Sequence, residues 1–190
     1  NATKECIKLN LPVFVVLAGN SKSTKEVKLG WVLDYDDKGK IFLIQFGETK
    51  PNLNLGDETD APFNPTDDSK GRKSKVSTRP NQAKFRYSLT KNYGYKCAVC
   101  SVEIPELLHA CHIIDKKSNG TDDWRNGIFL CLNHHAAFDR DFFQINPSDC
   151  SIVFKMDNLG IEETKLTTKT GKNPHVIALK WRWEKSKEHD

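Results

Sequence analysis

Apolar residues in the first fifty positions occur in short β-branched blocks or alternate with polar ones, and this predicts strands. Leu11 to Gly19 is one such block, stopped by Gly19-Asn20. Glu26 to Leu33 partly alternates, and the turn signal Asp36-Asp37-Lys38-Gly39 then leads into a return strand over Ile41 to Gly47. Three strands of this size form a small sheet or partial barrel, with Trp31, Phe42 and Phe46 as its expected core. Residues 50–83 are rich in Pro, Asn, Asp, Ser, Gly and Lys and read as a linker. From Pro80 the period lengthens: Phe85, Leu89 and Tyr93 recur every fourth position, and Gly94 closes a predicted helix. A strand follows over Leu107 to Ile114, then a polar loop, Asp115 to Arg125, broken at Gly120. Ile128 to Leu130 is a second strand and His134 to about Phe138 a helix, which together make a ββα unit. Phe142 to Ile145 and Ser151 to Phe154 form a closing hairpin, and Asn173-Pro174 caps a last helix through Trp181 and Trp183. The predicted class is α+β: a β-rich domain over 1–65, a basic linker over 66–84 and a ββα domain over 85–190.

Composition adds limits. A chain of 190 residues can bury one good core or two small ones, and 37% hydrophobic with 28% charged residues is the balance of a soluble globular protein. No apolar run is long enough to span a bilayer, and Asn1 to Cys6 lacks the pattern of a signal peptide. Charge is unevenly placed. Residues 1–60 carry eight Lys/Arg against nine Asp/Glu, and residues 97–190 twelve against fourteen. Residues 69–96 carry nine basic side chains (Lys70, Arg72, Lys73, Lys75, Arg79, Lys84, Arg86, Lys91, Lys96) and no acidic one. A block of that kind is either a solvated basic linker or the footprint of phosphate contact, and its position before the motifs below favours nucleic acid.

Cys97-Ala98-Val99-Cys100 and Cys131-Leu132-Asn133-His134 form a pair of Cys/His pairs. Each closes a tight chelate on one ion, so the spacing predicts a structural zinc with four protein ligands and no open position. That favours reduced thiolates over disulfides and an intracellular, cytoplasmic setting, with Cys6 and Cys150 as idle or buried thiols. Between and beside the pairs stand His112, Asn126 and His135, which zinc does not use.

These three residues, with the phrases Tyr93 to Cys100, Ala110-Cys111-His112-Ile113, Asn126 to Leu130 and His135 to Asp139, resemble the HNH (His-Asn-His) endonucleases of restriction type. So does the lead-in Arg79 to Arg86, and the resemblance spans about residues 79–146; residues 1–65 show none. It implies a metal-dependent endonuclease that hydrolyses phosphodiester bonds in double-stranded DNA. In that family pattern His112 is the general base, His135 holds a Mg²⁺ or Mn²⁺ ion, and Asn126 pins the loop between the strands by side-chain-to-backbone hydrogen bonds. Arg79, Gln82, Lys84 and Arg86 are candidate phosphate contacts, with Arg125 and Arg140 close to the catalytic residues in sequence. A single site cuts one strand, which leaves a homodimer or two binding events for cutting both.

One position departs from the pattern. Many HNH enzymes have a metal-binding aspartate immediately before the base, where this chain has Cys111, a soft ligand. Asp139, four residues after His135 and so on the same helix face, is the expected replacement; His109, two residues from Cys111 on its strand face, is the alternative. A zinc-stabilised nucleic-acid-binding module without catalysis remains the second reading, and Cys111 is its main support. The β-rich domain is expected to recognise a base or a modification, or to serve as a scaffold.

Overall fold

The computed structural model describes residues 2–19, 21, 23–50, 61–67 and 80–187. It is a mixed helix and strand protein with two compact units, Asn1–Ala61 and Pro62–Asp190.

The first unit is helix α1 (Ala2–Leu9) and an antiparallel sheet β1 (Val13–Ala18), β2 (Lys25–Asp36), β3 (Ile41–Phe46), in the order β1-β2-β3. Val13 pairs with Gly30 and Ala18 with Lys25; on the other side Gly30 pairs with Phe46, and the register shifts between Val32 and Asp34. The β2–β3 turn is held by Asp36, whose carboxylate accepts from the Gly39 amide at 3.1 Å. Sequence periodicity does not foresee α1; Lys4 on it pairs with Asp37 and lies 4.3 Å from the Tyr35 ring centroid. The expected core is thinner than the pattern suggests. Among the described residues of this unit Val32 is the one buried large apolar side chain, while Phe14, Val16, Val27 and Phe46 are exposed. Trp31 is half-buried, and its indole N–H has no hydrogen-bond partner.

The second unit contains α2 (Pro80–Tyr93), β4 (Leu108–His112), β5 (Gly127–Cys131), α3 (Leu132–Asp139), β6 (Phe143–Ile145), β7 (Ile152–Phe154) and α4 (Val176–Lys187). It begins at Pro62, because residues 63–67 are tied into it. Phe63 stacks on His175 at 4.2 Å between ring centroids, the Asp67 amide donates to the Asn119 carbonyl at 2.8 Å, and Thr66 forms a β-bridge with Gly120. Helix α2 starts at Pro80, where the helical period begins in the sequence. The ββα unit is β4–β5–α3, with His112 opposite Gly127 and Leu108 opposite Cys131.

The reason β5 reads as a continuous apolar run is that both of its faces are covered, and all five of its residues are buried. Phe85 and Leu89 of α2 lie so close to Gly127 that a Cβ there would come within 2.6 and 2.8 Å of them. Glycine is therefore the residue that lets the helix seat on the strand. Phe138, Phe143, Ile145 and Leu179 complete one core. The last helix starts at Val176, two residues later than Asn173-Pro174 implies; the His175 ring accepts from the Ile177 amide at 3.2 Å and takes the capping role.

Candidate functional site

Two donor clusters flank the β4–β5–α3 unit. In the first, Cys97, Cys100, Cys131 and His134 are all buried, with their ligand atoms within 4.8 Å of one another. The His134 Nδ1 lies 3.2 Å from the Cys131 sulfur and 3.7 Å from that of Cys97. A tetrahedral zinc with ordinary bond lengths separates sulfur and nitrogen by roughly 3.5 Å, so the cage has the right size. The other ring nitrogen, Nε2, lies 2.9 Å from the Leu159 carbonyl, which can only accept; this puts the ring proton on Nε2 and turns the Nδ1 lone pair toward the sulfurs. Burial pushes the Cys100 thiol up to about 12, against a hydrogen bond from the Val102 backbone and with the Cys97 and Cys131 sulfurs adding to the rise. A cation between these ligands would offset that cost, and the donor set S₃N suits zinc. A strap over residues 159–167 crosses the cage: the Glu162 amide donates to Val99 and the Thr167 amide to Ala98, each at 3.0 Å. No local signal in the sequence announces that strap.

The second cluster is Cys111, His135 and Asp139, again within 4.8 Å of one another. His135 and Asp139 share one face of α3, and His135 Nε2 lies 3.4 Å from an Asp139 carboxylate oxygen. Cys111 is buried, and its thiol is pushed up by that burial and then by the Asp139 charge. His109 approaches from β4, with its Nδ1 3.4 Å from that of His135. Burial lowers the His109 pKa, and the charges of His135 and Arg86 add to the effect. Both candidate replacements for the missing aspartate thus lie beside His135, and Cys111 sits in the same cluster.

His112 is the last residue of β4. Its ring stacks on Phe85 at 4.1 Å and 13°, and its Nε2 lies 2.8 Å from Asp122 Oδ1. Burial works against the Asp122 carboxylate, but hydrogen bonds from His112 and Lys116 outweigh it and hold its pKa below the usual value. Lys116 reaches the same oxygen at 3.2 Å and also Asp67 at 3.0 Å. Sequence reasoning misses Asp122, since it lies ten residues from His112 in a polar loop.

Asn126 is fully buried. Its side-chain oxygen accepts from the Ile114 amide at 2.9 Å, and its NH₂ donates to the Ile114 carbonyl at 3.1 Å and the Thr121 carbonyl at 2.9 Å. Three of its hydrogen-bonding positions are thus spent on the two ends of one loop. Gly120 completes the closure: a Cβ there would lie 1.8 Å from the Ile114 carbonyl oxygen.

Residues 97–146 match the family model of the HNH endonucleases. The HNH region therefore contains both donor clusters, His112 and Asn126, and it supports a nuclease or nucleic-acid-related function. No curated protein and no solved structure matches the chain.

The basic side chains around the HNH region are placed unequally. Arg79 and its neighbours Lys70, Arg72, Lys73 and Lys75 lie outside the described residues. Gln82 is exposed and Lys84 half-buried on α2. Arg86 donates to the Leu108 carbonyl at 2.5 Å and the Pro105 carbonyl at 3.0 Å, which ties α2 to the start of β4. Arg125 is buried, with its guanidinium on the Asp123 carboxylate at 2.6 Å. Arg140 is exposed beyond the end of α3, with one guanidinium nitrogen on the Ala136 carbonyl at 3.1 Å. Among the described residues, no helix is long and apolar enough to cross a membrane.

Proposed function

We propose that this protein is a metal-dependent endonuclease that hydrolyses phosphodiester bonds of double-stranded DNA. The observation that carries the proposal is the match of residues 97–146 to the HNH endonuclease family model, a stretch that holds His112, Asn126 and a Cys/His/Asp donor cluster. His112, the proposed base, is next in sequence to Cys111, whose sulfur shares a donor cluster with His135 and Asp139. In this reading His112 takes a proton from water, the water oxygen attacks phosphorus, and the bond to the 3′-oxygen breaks to leave a 5′-phosphate and a 3′-hydroxyl. A Mg²⁺ or Mn²⁺ ion held by His135 and Asp139 supplies stabilisation of the charge that builds on the phosphate and leaving oxygens. Asn126 keeps the β4–β5 loop, and with it His112, in place. Cys97, Cys100, Cys131 and His134 hold a structural zinc.

The DNA contacts assigned to this site are the basic stretch over 69–96, including Arg79, Gln82 and Lys84, together with Arg140. Arg86 and Arg125 are engaged within the protein and act by shaping the site. A restriction or defence role, with the first unit reading a base or a modification, fits a nuclease unit joined to a small β-sheet unit with exposed aromatic side chains such as Phe14 and Phe46. Two-strand cutting then uses a homodimer or two binding events. Thiolate zinc ligands suit a reducing compartment such as the cytoplasm.

A second reading, a zinc-stabilised nucleic-acid-binding module without catalysis, is favoured by one observation: a buried Cys111, its thiol pushed up by that burial, where a carboxylate would suit Mg²⁺. Plasmid cleavage separates the two. The wild-type protein should nick or cut modified or unmodified plasmid with Mg²⁺ or Mn²⁺ and be silent in EDTA. His112→Ala should lose about 10²–10⁴ in rate, the usual worth of a general base, while still binding DNA. Binding without cleavage under every metal and DNA condition would select the second reading.

A further inference from the structure

We infer that Asp122 is the positioning residue for His112: it holds the imidazole with its proton on Nε2 and leaves the Nδ1 lone pair to accept the proton from water. This rests on the nuclease reading above. The geometry is direct, since Asp122 Oδ1 lies 2.8 Å from His112 Nε2. An ionised carboxylate has no proton to give, so the hydrogen in that bond belongs to the ring. Neutral imidazole carries one N–H, and with it on Nε2 the basic lone pair is on Nδ1.

Phe85 and Lys116 make this orientation the one the site retains. Phe85 covers a face of the ring at 4.1 Å, which restricts its tilt. A ring flip would set a C–H against the carboxylate and lose a charge-assisted hydrogen bond. Lys116 lies 3.2 Å from the same Asp122 oxygen and donates to the Gly120 carbonyl at 2.7 Å, so that oxygen is held by a second partner anchored to the loop. Asp122 also follows Thr121, whose carbonyl accepts from the buried Asn126. The Asn126 network therefore acts on the base through Asp122 as well as through the strand.

Water gives its proton to Nδ1 as its oxygen bonds to phosphorus and the bond from phosphorus to the 3′-oxygen breaks, that oxygen taking a proton from solvent; His112 becomes an imidazolium that keeps Nε2–H on Asp122. The carboxylate stays ionised and compensates the new positive charge, and the ring later returns the proton to solvent.

The test uses the full chain with its zinc. Histidine ¹⁵N resonances, assigned by their loss in His112→Ala, should show wild-type His112 as the Nε2–H tautomer, a reading that needs no substrate. Asp122→Asn, whose amide can donate to the ring as well as accept from it, should give a mixture of tautomers. On a plasmid that the wild type cleaves, Asp122→Asn should lower the single-turnover rate about 10- to 100-fold, with the DNA concentration at half-maximal rate within about twofold. Asp122→Glu should recover part of the loss. Zinc content and thermal unfolding check that each variant is folded. A wild-type His112 in the Nδ1–H form would overturn the inference, whatever the variants do. So would an Asp122→Asn protein that cleaves at the wild-type rate. Full cleavage by His112→Ala would instead remove the nuclease assignment of His112 itself, a separate outcome.

Discussion

At the scale of single residues, Asn126 and Gly120 show how few atoms close the loop between β4 and β5. Asn126 makes three bonds to the Ile114 and Thr121 backbone in a fully buried position. Removing its amide leaves those backbone groups unpaired away from water. At about 1 kcal/mol net for each hydrogen bond, Asn126→Ala should cost about 3 kcal/mol. Urea unfolding reads this as a lower midpoint with an unchanged slope. A midpoint equal to the wild type would mean that the loop closes without Asn126. Gly120 explains why no larger residue would do: the space a Cβ needs is filled by the Ile114 carbonyl.

At the scale of elements, the four-donor Cys/His cage joins pieces that lie far apart in sequence. Cys97 and Cys100 lie in the loop after α2, while Cys131 and His134 lie at the junction of β5 and α3. The Ala98 amide donates to Phe129 at 2.8 Å and the Cys131 amide to the Cys97 sulfur at 3.3 Å, so the cage and the strand share a backbone network. A metal bound there would contribute to folding directly. Metal analysis should find one tightly held zinc per chain, and strong chelators should lower the unfolding temperature. Cys97→Ser should abolish the cooperative unfolding transition of the second unit. A Cys97–Cys100 disulfide in purified protein would contradict the assignment.

At the scale of the whole molecule, two electrostatic features are open to measurement. The basic stretch should bind phosphates without reading sequence. Replacing Lys70, Arg72, Lys73, Lys75 and Arg79 by Gln should weaken binding to all DNA alike. Each side chain that neutralises a phosphate in the wild type should, once replaced, reduce the salt slope by about 0.9. A changed sequence preference at constant slope would speak against this. The second feature links α4 to the β4–β5 loop. Lys185 donates to Asp115 at 2.9 Å, and the Ser118 amide to the same carboxylate at 2.7 Å. Partial burial opposes ionisation, yet these partners bring the Asp115 pKa down to about 2. A carboxyl group depressed on folding stabilises the protein above its unfolded pKa of about 3.9, and that contribution is lost as pH falls toward 2. The stability difference between wild type and Asp115→Asn should therefore be full at neutral pH and close below about pH 4. Because the pair is about one-third exposed, the difference should be small and should shrink in high salt.

The sequence by itself determined the parts that depend on local order. The two chelating pairs, the four-residue period of Phe85, Leu89 and Tyr93, and the His-Asn-His phrases lie within short windows, so spacing alone made the four-donor Cys/His cluster and the ββα unit legible. The position of Asp139 one turn after His135 belongs with these, because helix geometry fixes which neighbours share a face. Tertiary structure decided what depends on contacts across the fold. Asp122 reaches His112 over a ten-residue loop, Leu159 reaches His134 from beyond β7, and residues 63–67 join the second unit through His175, Asn119 and Gly120. Arg86 and Arg125, candidate DNA contacts by sequence, meet backbone carbonyls and Asp123 in the fold. Charge alone does not say whether a guanidinium meets solvent, a phosphate or its own protein; that is settled by which backbone and carboxylate acceptors the packing brings within hydrogen-bonding distance.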